Sequence, residues 1–354
     1  GQVVIQDGVQ VSPNPATTPL ELRCLQTVSG RIVLTGSFAS FPADSFAKLE
    51  AVGGLLFSGV SNGGDFSFPS LTQILAQGLS IQGTMGAVSM PSLVTLNGGL
   101  TVQQSTLSGG LTIGATTYLQ SVLIQTSTLG GVGLQLPSLE TVAGNLNITS
   151  NVNLAAIGLP ALTTINSGGS FIYQSNSVGP ASLAFPSLQT ARVVISTNAT
   201  LTSLSLPMYA GGSDFYVYDH ALLASLTAPS LTGVTTQFSV HDNASLSCAV
   251  VQALLAQATS PAPSTTDISN NGGTCPPPTG PACPLCQNFG DSCQPAQANT
   301  YAPAQSCSQF YQCLYNPADG WIWDNLQPCP GGLVFSPSQG SCDWAGSEAP
   351  GCTP

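Results

Sequence analysis

A short phrase of hydrophobic and polar positions recurs along the first 250 residues. It reads apolar residue, Pro, small residue or Met, then Leu or Tyr, and its prolines are spaced 22, 46, 23, 26, 21 and 22 residues apart. The copies lie at 68–71, 90–93, 136–139, 159–162, 185–188, 206–209 and 228–231. The double interval contains a degenerate copy near Gly114, and Phe41-Pro42 with Leu49 is an irregular earlier copy. The pattern predicts about nine turns of 21–27 residues.

Each repeat also contains a short stretch in which apolar and polar positions alternate. Examples lie at 146–148, 193–195, 215–217 and 238–240. Period two is typical of short strands. A repeat of this length can bury its apolar face only against the next repeat, which is typical of a solenoid. The sequence therefore predicts an all-β protein, a right-handed β-solenoid followed by a small disulfide-rich β module.

A mostly polar position follows the second strand of each repeat. It is occupied by Asn151, Asn176, Asn198, His220 and Asn243, at spacings of 25, 22, 22 and 23 residues. Stacked amide side chains can bond turn backbone groups that would otherwise be unpaired. The spacing predicts a buried ladder, in which His220 has a structural role. We also expect His241 to pair with Asp242 or Asp219.

The amino-acid composition excludes some classes of function. Charged residues make up 5% of the chain, with four basic against fifteen acidic residues and a net charge of −11. Nucleic-acid binding needs many Lys and Arg to neutralise phosphates, so we expect no nucleic-acid partner. No apolar run is long enough for a membrane span. The chain begins without Met or a signal sequence, as expected for a processed form.

Eleven cysteines are distributed unevenly, with Cys24 alone near the start and eight between Cys283 and Cys352. Dense cysteines in a short segment indicate a disulfide scaffold in an oxidising compartment. Three glycosylation sequons agree with a secreted protein, and they lie at Asn147, Asn198 and Asn243. Because a ladder asparagine is buried, Asn147 ranks above the other two as an acceptor.

The Leu-Pro-Ser-Leu…Asn-x-x-Leu period resembles the receptor L domain, a leucine-rich-repeat-like β-helix of growth-factor receptor ectodomains and fungal cell-wall proteins. The resemblance covers about 20–277. The end also resembles the cysteine-closed cap of such domains, since Cys248, a helical stretch at 249–258 and Cys275 follow one another. We therefore infer a Cys248–Cys275 disulfide and a first domain at 1–277. The family implies ligand binding or a cell-surface role and no shared catalytic residues.

A Pro-rich linker is predicted at 278–290, and a second domain at 291–354. Its six cysteines follow the spacing Cys-x13-Cys-x5-Cys-x15-Cys-x12-Cys-x9-Cys. A module of this size buries little core, so disulfides are expected to stabilise it. It contains no Lys or Arg, which suits a neutral polysaccharide ligand.

Three phrases of this module resemble the peritrophin-A type of chitin-binding domain. They are Cys307-Ser-Gln-Phe-Tyr-Gln-Cys313, Cys329-Pro-Gly-Gly-Leu-Val-Phe335 and Cys342-Asp-Trp344. The resemblance spans the whole module. The disulfides that it implies are Cys293–Cys313, Cys307–Cys352 and Cys329–Cys342.

The same resemblance points to aromatic residues as the carbohydrate site. It places aromatics at Phe310, Tyr311 and Trp344, and we expect Phe310 in the core and the other two against the ligand. Of Trp321 and Trp323, we favour Trp323 as exposed. Flat aromatic side chains suit the apolar faces of sugar rings.

Three cysteines are left without an assigned partner. Cys283 and Cys286 have the spacing of a metal or redox half-site, but no second pair or nearby His completes it, so we expect no metal and no cofactor. Three alternatives are open for Cys24: it is buried and unpaired in an N-terminal cap, it is bonded to Cys283 or Cys286 of a neighbouring molecule, or it is bridged to the linker or to another protein. The second alternative would give a head-to-tail filament.

These patterns predict a secreted structural or adhesive protein of a cell surface or extracellular matrix. Its C-terminal module would bind chitin or a related N-acetylglucosamine polymer, and the solenoid would be a spacer or self-assembly surface. The alternative is a polysaccharide-active enzyme on a β-helix with a binding module. We name no catalytic residues, because the acidic residues closest to a cluster, Asp214, Asp219 and Asp242, are expected in turns.

Overall fold

The structure is a computed structural model that divides into two compact units, Gly1–Thr274 and Cys275–Pro354. In the first unit it describes residues 3–5, 9–11, 22–37, 44–61, 64–166 and 168–273. In the second unit it describes residues 301–303, 309–316, 320–329, 333–336 and 341–344.

The described part of the first unit consists almost entirely of short strands. The N-terminal strands are β1 (Val3–Ile5), β2 (Val9–Val11), β3 (Leu25–Ser37), β4 (Ala51–Ser61), β5 (Phe66–Ser67), β6 (Gln73–Ile74), β7 (Leu79–Met90), β8 (Thr95–Leu96), β9 (Leu100–Gln103), β10 (Thr106–Ile113), β11 (Tyr118–Leu119), β12 (Val122–Gln125), β13 (Thr128–Leu129) and β14 (Leu134–Gln135). They are followed by β15 (Thr141–Val142), β16 (Leu146–Thr149), β17 (Asn153–Leu154), β18 (Ile157–Gly158), β19 (Thr164–Ile165), β20 (Ser170–Gln174), β21 (Ser182–Ala184), β22 (Arg192–Ser196), β23 (Ser203–Ser205), β24 (Gly211–Tyr218), β25 (Ser225–Thr227), β26 (Gly233–His241), helix α1 (Cys248–Gln257) and β27 (Thr265–Asp267).

Strands one repeat apart pair in parallel. In one column Leu146 lies beside Phe171, Phe171 beside Val193, and Val193 beside Phe215. Each repeat is thus one rung, and stacking rungs bury a continuous core between them. The predicted β-solenoid of about nine turns is confirmed.

Alternation within the strands decides which side chains enter this core. In β16, Leu146 and Ile148 are buried, whereas Asn147 and Thr149 face outward and are partly exposed. The predicted strands β22, β24 and β26 bury their apolar positions in the same way. Rings stack between rungs, and the centroids of Phe215 and Phe238 are 5.5 Å apart.

The apolar-Pro-Ser-Leu phrase forms a tight turn at one corner of each rung. In one copy the Leu139 N–H donates to the Leu136 carbonyl at 3.2 Å, and both side chains are buried. The Ser138 hydroxyl donates to the Gly114 carbonyl of the preceding rung at 2.6 Å. The phrase therefore closes its own turn and also joins two rungs.

Two irregular copies show what this turn requires. At the degenerate copy, buried Thr116 replaces Leu and its hydroxyl donates to the Leu93 carbonyl of the preceding rung at 2.7 Å. Of the irregular earlier copy, Phe41 and Pro42 lie outside the described residues. The turn is formed at 46–49, where the Leu49 N–H donates to the Phe46 carbonyl at 3.2 Å. The buried residues that flank the turn define it, and proline is dispensable.

The predicted ladder is confirmed and is longer than predicted. It consists of Ser105, Ser127, Asn151, Asn176, Asn198, His220, Asn243 and Asn271, of which all but Asn271 are buried. A typical step joins Asn176 to the rung before it. Asn176 Oδ1 accepts the Asn151 N–H at 3.1 Å, and Asn176 Nδ2 donates to the Ile148 carbonyl at 3.0 Å.

The residue before each ladder position has a left-handed backbone. These residues are Gln104, Thr126, Ser150, Ser175, Thr197, Asp219, Asp242 and Asn270, with φ between 49 and 59°. None is glycine, and a non-glycine residue in this region costs about 1–2 kcal/mol. We infer that the ladder hydrogen bonds offset this cost in every rung.

The C-terminal end of the solenoid is capped. The helix predicted at 249–258 is confirmed as α1, which buries Val251 and Leu254 and contacts β25 and β26. In the last rung the inner column that contains Phe238 ends at Thr266, which is exposed. The column of inward-facing apolar residues therefore stops at a polar residue.

The second unit contains antiparallel strands. Strands β28 (Tyr301–Pro303), β29 (Gln309–Asn316) and β30 (Gly320–Pro328) form one sheet, and β31 (Leu333–Ser336) pairs with β32 (Ser341–Trp344). The predicted linker at 278–290 lies outside the described residues.

Replacing Asn176 with Ala tests the ladder. The change leaves the buried Asn151 N–H and Ile148 carbonyl without partners, so we expect a loss of about 1–3 kcal/mol in the free energy of unfolding. Chemical denaturation monitored by circular dichroism measures it. Asn153, which is exposed, provides the control Asn153→Ala, and equal effects of the two changes would contradict the ladder.

Candidate functional site

The aromatic residues predicted to bind carbohydrate lie on the strands of the second unit. Tyr311 is in β29, and Trp323 is in β30 directly opposite Cys313, two positions from Tyr311. Trp344 is in β32, opposite Leu333. The antiparallel register thus places Tyr311 and Trp323 on neighbouring strands, and β29 also contacts β31, the partner of the Trp344 strand.

The structure records two of the expected disulfide cysteines as bonded. They are Cys248 in the solenoid cap and Cys329 in the second unit. Cys275, Cys283, Cys286, Cys293, Cys307 and Cys352 lie outside the described residues. The proposed pairings, including that of Cys313 and that of Cys342, stay predictions.

The structure contradicts one of the expected environments of Cys24. Its thiol is free and the residue is exposed. The alternative of a buried, unpaired Cys24 in an N-terminal cap is therefore wrong. The residue lies in a turn just before β3.

Two of the three acidic residues expected in turns, Asp214 and Asp242, are bonded to other side chains. Asp214 lies in β24 and not in a turn, and its Oδ2 is 2.9 Å from Nε of Arg192. Asp219 and Asp242 occupy the left-handed positions that precede ladder residues. Only pairing across the rungs, which spacing along the chain does not reveal, brings Arg192 to Asp214. No metal-ligand cluster occurs within the described ranges.

A second polar cluster lies at the end of β26. His241 Nδ1 is 2.6 Å from Asp242 Oδ2, which confirms the first of its two expected partners. The hydrogen bonds that Asp242 accepts from His241 and Asn270 lower the pKa of its carboxyl. The His241 ring stacks on Tyr218 with centroids 5.0 Å apart. The cluster ties the chain that follows β27 to β26.

His220 occupies its ladder position as a neutral side chain. Its Nδ1 accepts the Asn198 N–H at 3.3 Å, and Nε2 lies 3.2 Å from the Ile195 carbonyl, which fits a proton on Nε2. Burial lowers the pKa of His220, against smaller opposing effects of its backbone hydrogen bonds and of Asp219. Both ring nitrogens are used for structure, so His220 is not available for catalysis.

Two of the three sequons coincide with the ladder. Nδ2 of Asn198 donates to the Tyr173 carbonyl at 2.9 Å, and Nδ2 of Asn243 donates to the Val217 carbonyl at 2.9 Å. A glycan is attached through this nitrogen, so the folded ladder argues against both as acceptors. Asn147 is partly exposed, although its Oδ1 atom is buried, and its glycosylation stays a prediction.

Within the part of the chain that the structure describes, no helix has the length and hydropathy needed to cross a membrane.

Residues 293–352 match a family model, that of the Chitin binding Peritrophin-A domain. The match confirms the family resemblance that the cysteine spacing and the Cys-Pro-x-Gly-Leu-x-Phe phrase indicated. It defines the class of this module and covers less than half of the chain. No curated protein and no solved structure matches the chain. The receptor L-domain resemblance of the solenoid stays a prediction.

Replacing His220 with Asn tests its neutral state. Because the folded pKa lies below the ordinary value of 6.5, the unfolded chain binds more protons, and stability should fall as the pH drops below about 6.5. Asn is the ladder residue in the adjacent rungs and does not titrate. The melting temperature of the parent protein should therefore fall more steeply between pH 7 and pH 5 than that of His220→Asn. Parallel curves would contradict the assignment.

Proposed function

We propose that the protein is a secreted structural or adhesive protein of a cell surface or extracellular matrix. It binds chitin or a related polymer of N-acetylglucosamine through its C-terminal module, and the solenoid is the spacer that holds this module away from its point of attachment. The observation that carries the proposal is the match of residues 293–352 to the chitin-binding peritrophin-A domain.

Charge and residue type support a neutral polysaccharide as the ligand. The module has no Lys or Arg, and it contains all three tryptophans of the chain. Tyr311, Trp323 and Trp344 are the proposed stacking residues. Stacking on aromatic faces depends on apolar contact and needs no charge.

The solenoid is proposed as a scaffold and not as a polysaccharide-active enzyme. A glycosidase needs two carboxyl groups that act on one bond. Asp214 is engaged by Arg192, and Asp242 by His241 and Asn270. Their interactions favour structural roles, which supports the binding function over the enzyme alternative.

The spacer role is favoured over a filament built by stacking solenoids. The capped last rung, with α1 and exposed Thr266, gives a following molecule no apolar rung to extend. A disulfide from Cys24 to Cys283 or Cys286 of a neighbour is the covalent route that is left for head-to-tail assembly.

Retention on insoluble chitin tests the proposed function. The full chain should be retained, and Trp344→Ala should weaken retention about five-fold or more, since loss of a stacking aromatic costs about 1–3 kcal/mol by analogy with nucleobases. Tyr311→Ala and Trp323→Ala should act in the same direction. Depletion binding isotherms on chitin and on cellulose provide the measurement.

The solenoid supplies a matched control. Tyr118 is an exposed aromatic residue of the first unit, so Tyr118→Ala should leave retention unchanged. If the full chain is not retained on chitin, or if all four variants bind as the parent does with their disulfides intact, the proposed function or the proposed site is wrong.

A further inference from the structure

The solenoid has an open groove that no part of the proposed function uses. It has a volume of about 530 Å³, within the range of about 300–1,000 Å³ typical of small-molecule sites. It crosses successive rungs where β19 ends and β22, β24 and β26 begin. Its surface is more apolar than polar, and the polar residues that line it are threonines, serines, Asn166 and Arg192.

Glycines form the floor of the groove, because neighbouring rungs are in close contact there. A Cβ atom at Gly211 would lie 1.8 Å from the Gly233 carbonyl oxygen, and one at Gly212 would lie 1.9 Å from the Ala191 carbonyl oxygen. The glycines are therefore required by the stacking itself. Beneath them the Tyr209 hydroxyl donates to the Ala191 carbonyl at 2.8 Å, which fixes the floor from inside.

Arg192 is the charged side chain that lines this groove. It is the only Lys or Arg after Lys48 in the whole sequence. Its Nε donates to Asp214 Oδ2 at 2.9 Å and its NH1 to Ser170 Oγ at 3.3 Å. The planar guanidinium is thus held in one orientation at the groove wall, with its charge already balanced.

The chemistry of the walls selects a class of ligand. The balanced charge of Arg192 does not favour an anion, and an apolar surface with a few polar side chains suits sugar rings, whose faces are apolar and whose edges carry hydroxyl groups. The side chains present, a fixed guanidinium, an amide and hydroxyls, donate to and accept from neighbouring hydroxyl groups. An aromatic ring is also close, because the Arg192 guanidinium carbon lies 5.5 Å from the Tyr216 ring centroid.

The length of the groove fits a chain of sugar rings. Thr164 pairs with Thr190, Thr190 with Gly211, and Gly211 with Gly233, and the next rung adds Pro261. Rungs stack about 4.8 Å apart, so five rungs span roughly 19 Å. We propose that this groove is a second glycan-binding site, which takes a neutral oligosaccharide lying across the rungs and hydrogen-bonded to Arg192 and Asn166. The proposal is independent of chitin binding by the C-terminal module.

The test uses the full chain with the aromatics of the C-terminal module removed by Tyr311→Ala, Trp323→Ala and Trp344→Ala. Isothermal titration with N-acetylchitohexaose, cellohexaose and mannohexaose then reports on the solenoid alone. We expect saturable binding of at least one of them. Binding by the parent chain that disappears in this background would assign the sugar to the C-terminal module and overturn the groove proposal.

Two further changes locate the binding within the groove. Thr232 is exposed and lines the groove. The indole of Thr232→Trp should therefore fill the groove and raise the dissociation constant about ten-fold or more. Thr72 is the matched control, because its backbone and side chain bond the Glu50 carbonyl as those of Thr232 bond the Ala210 carbonyl. Thr72 does not line the groove, and Thr72→Trp should leave the dissociation constant unchanged.

The double change Arg192→Gln with Asp214→Asn removes the guanidinium group and replaces the ion pair with two neutral side chains. It should weaken binding to a similar extent. If Thr232→Trp lowers the melting temperature more than Thr72→Trp does, the test rests on this double variant instead. The proposal is overturned if none of the three oligosaccharides binds, or if the groove variants and the Thr72 control bind equally.

Discussion

In each rung, the turn after the second strand buries a backbone N–H group. The fold depends on the hydrogen-bond acceptor that this group finds. That partner is a side chain of the next rung. For example, the Asn176 N–H donates to Asn198 Oδ1 at 3.1 Å, while Asn198 Nδ2 donates to the Tyr173 carbonyl. Because an unpaired buried donor costs about 1–3 kcal/mol, each rung is completed only when the next one is in place.

This constraint also limits where function can lie. The ladder uses the polar atoms of His220, Asn198 and Asn243, which in another setting could have been a catalytic base or glycan acceptors. Groups able to meet a ligand are left on the outer surface, as Arg192 is, or in the C-terminal module. The polar side chains in the interior of the solenoid thus serve to hold the rungs together.

Much of this could be predicted from the sequence, because the repeat is a property of the chain itself. The proline and asparagine spacings predicted the rungs, the ladder and the structural role of His220. Ser127 was missed as a ladder residue because it differs in residue type from Asn, although it lies 24 residues before Asn151. The ion pair of Arg192 with Asp214 and the groove depend on the register between rungs, which spacing along one chain does not determine.

Hydrogen exchange resolved to single amides tests the ladder most directly. The N–H groups of Asn151, Asn176 and Asn198 lie in turns, where amides usually exchange rapidly. If neighbouring rungs satisfy them, they should exchange as slowly as the amides of the adjacent strands and become faster together when one ladder side chain is removed. Exchange at the rate of an unstructured amide would contradict the account.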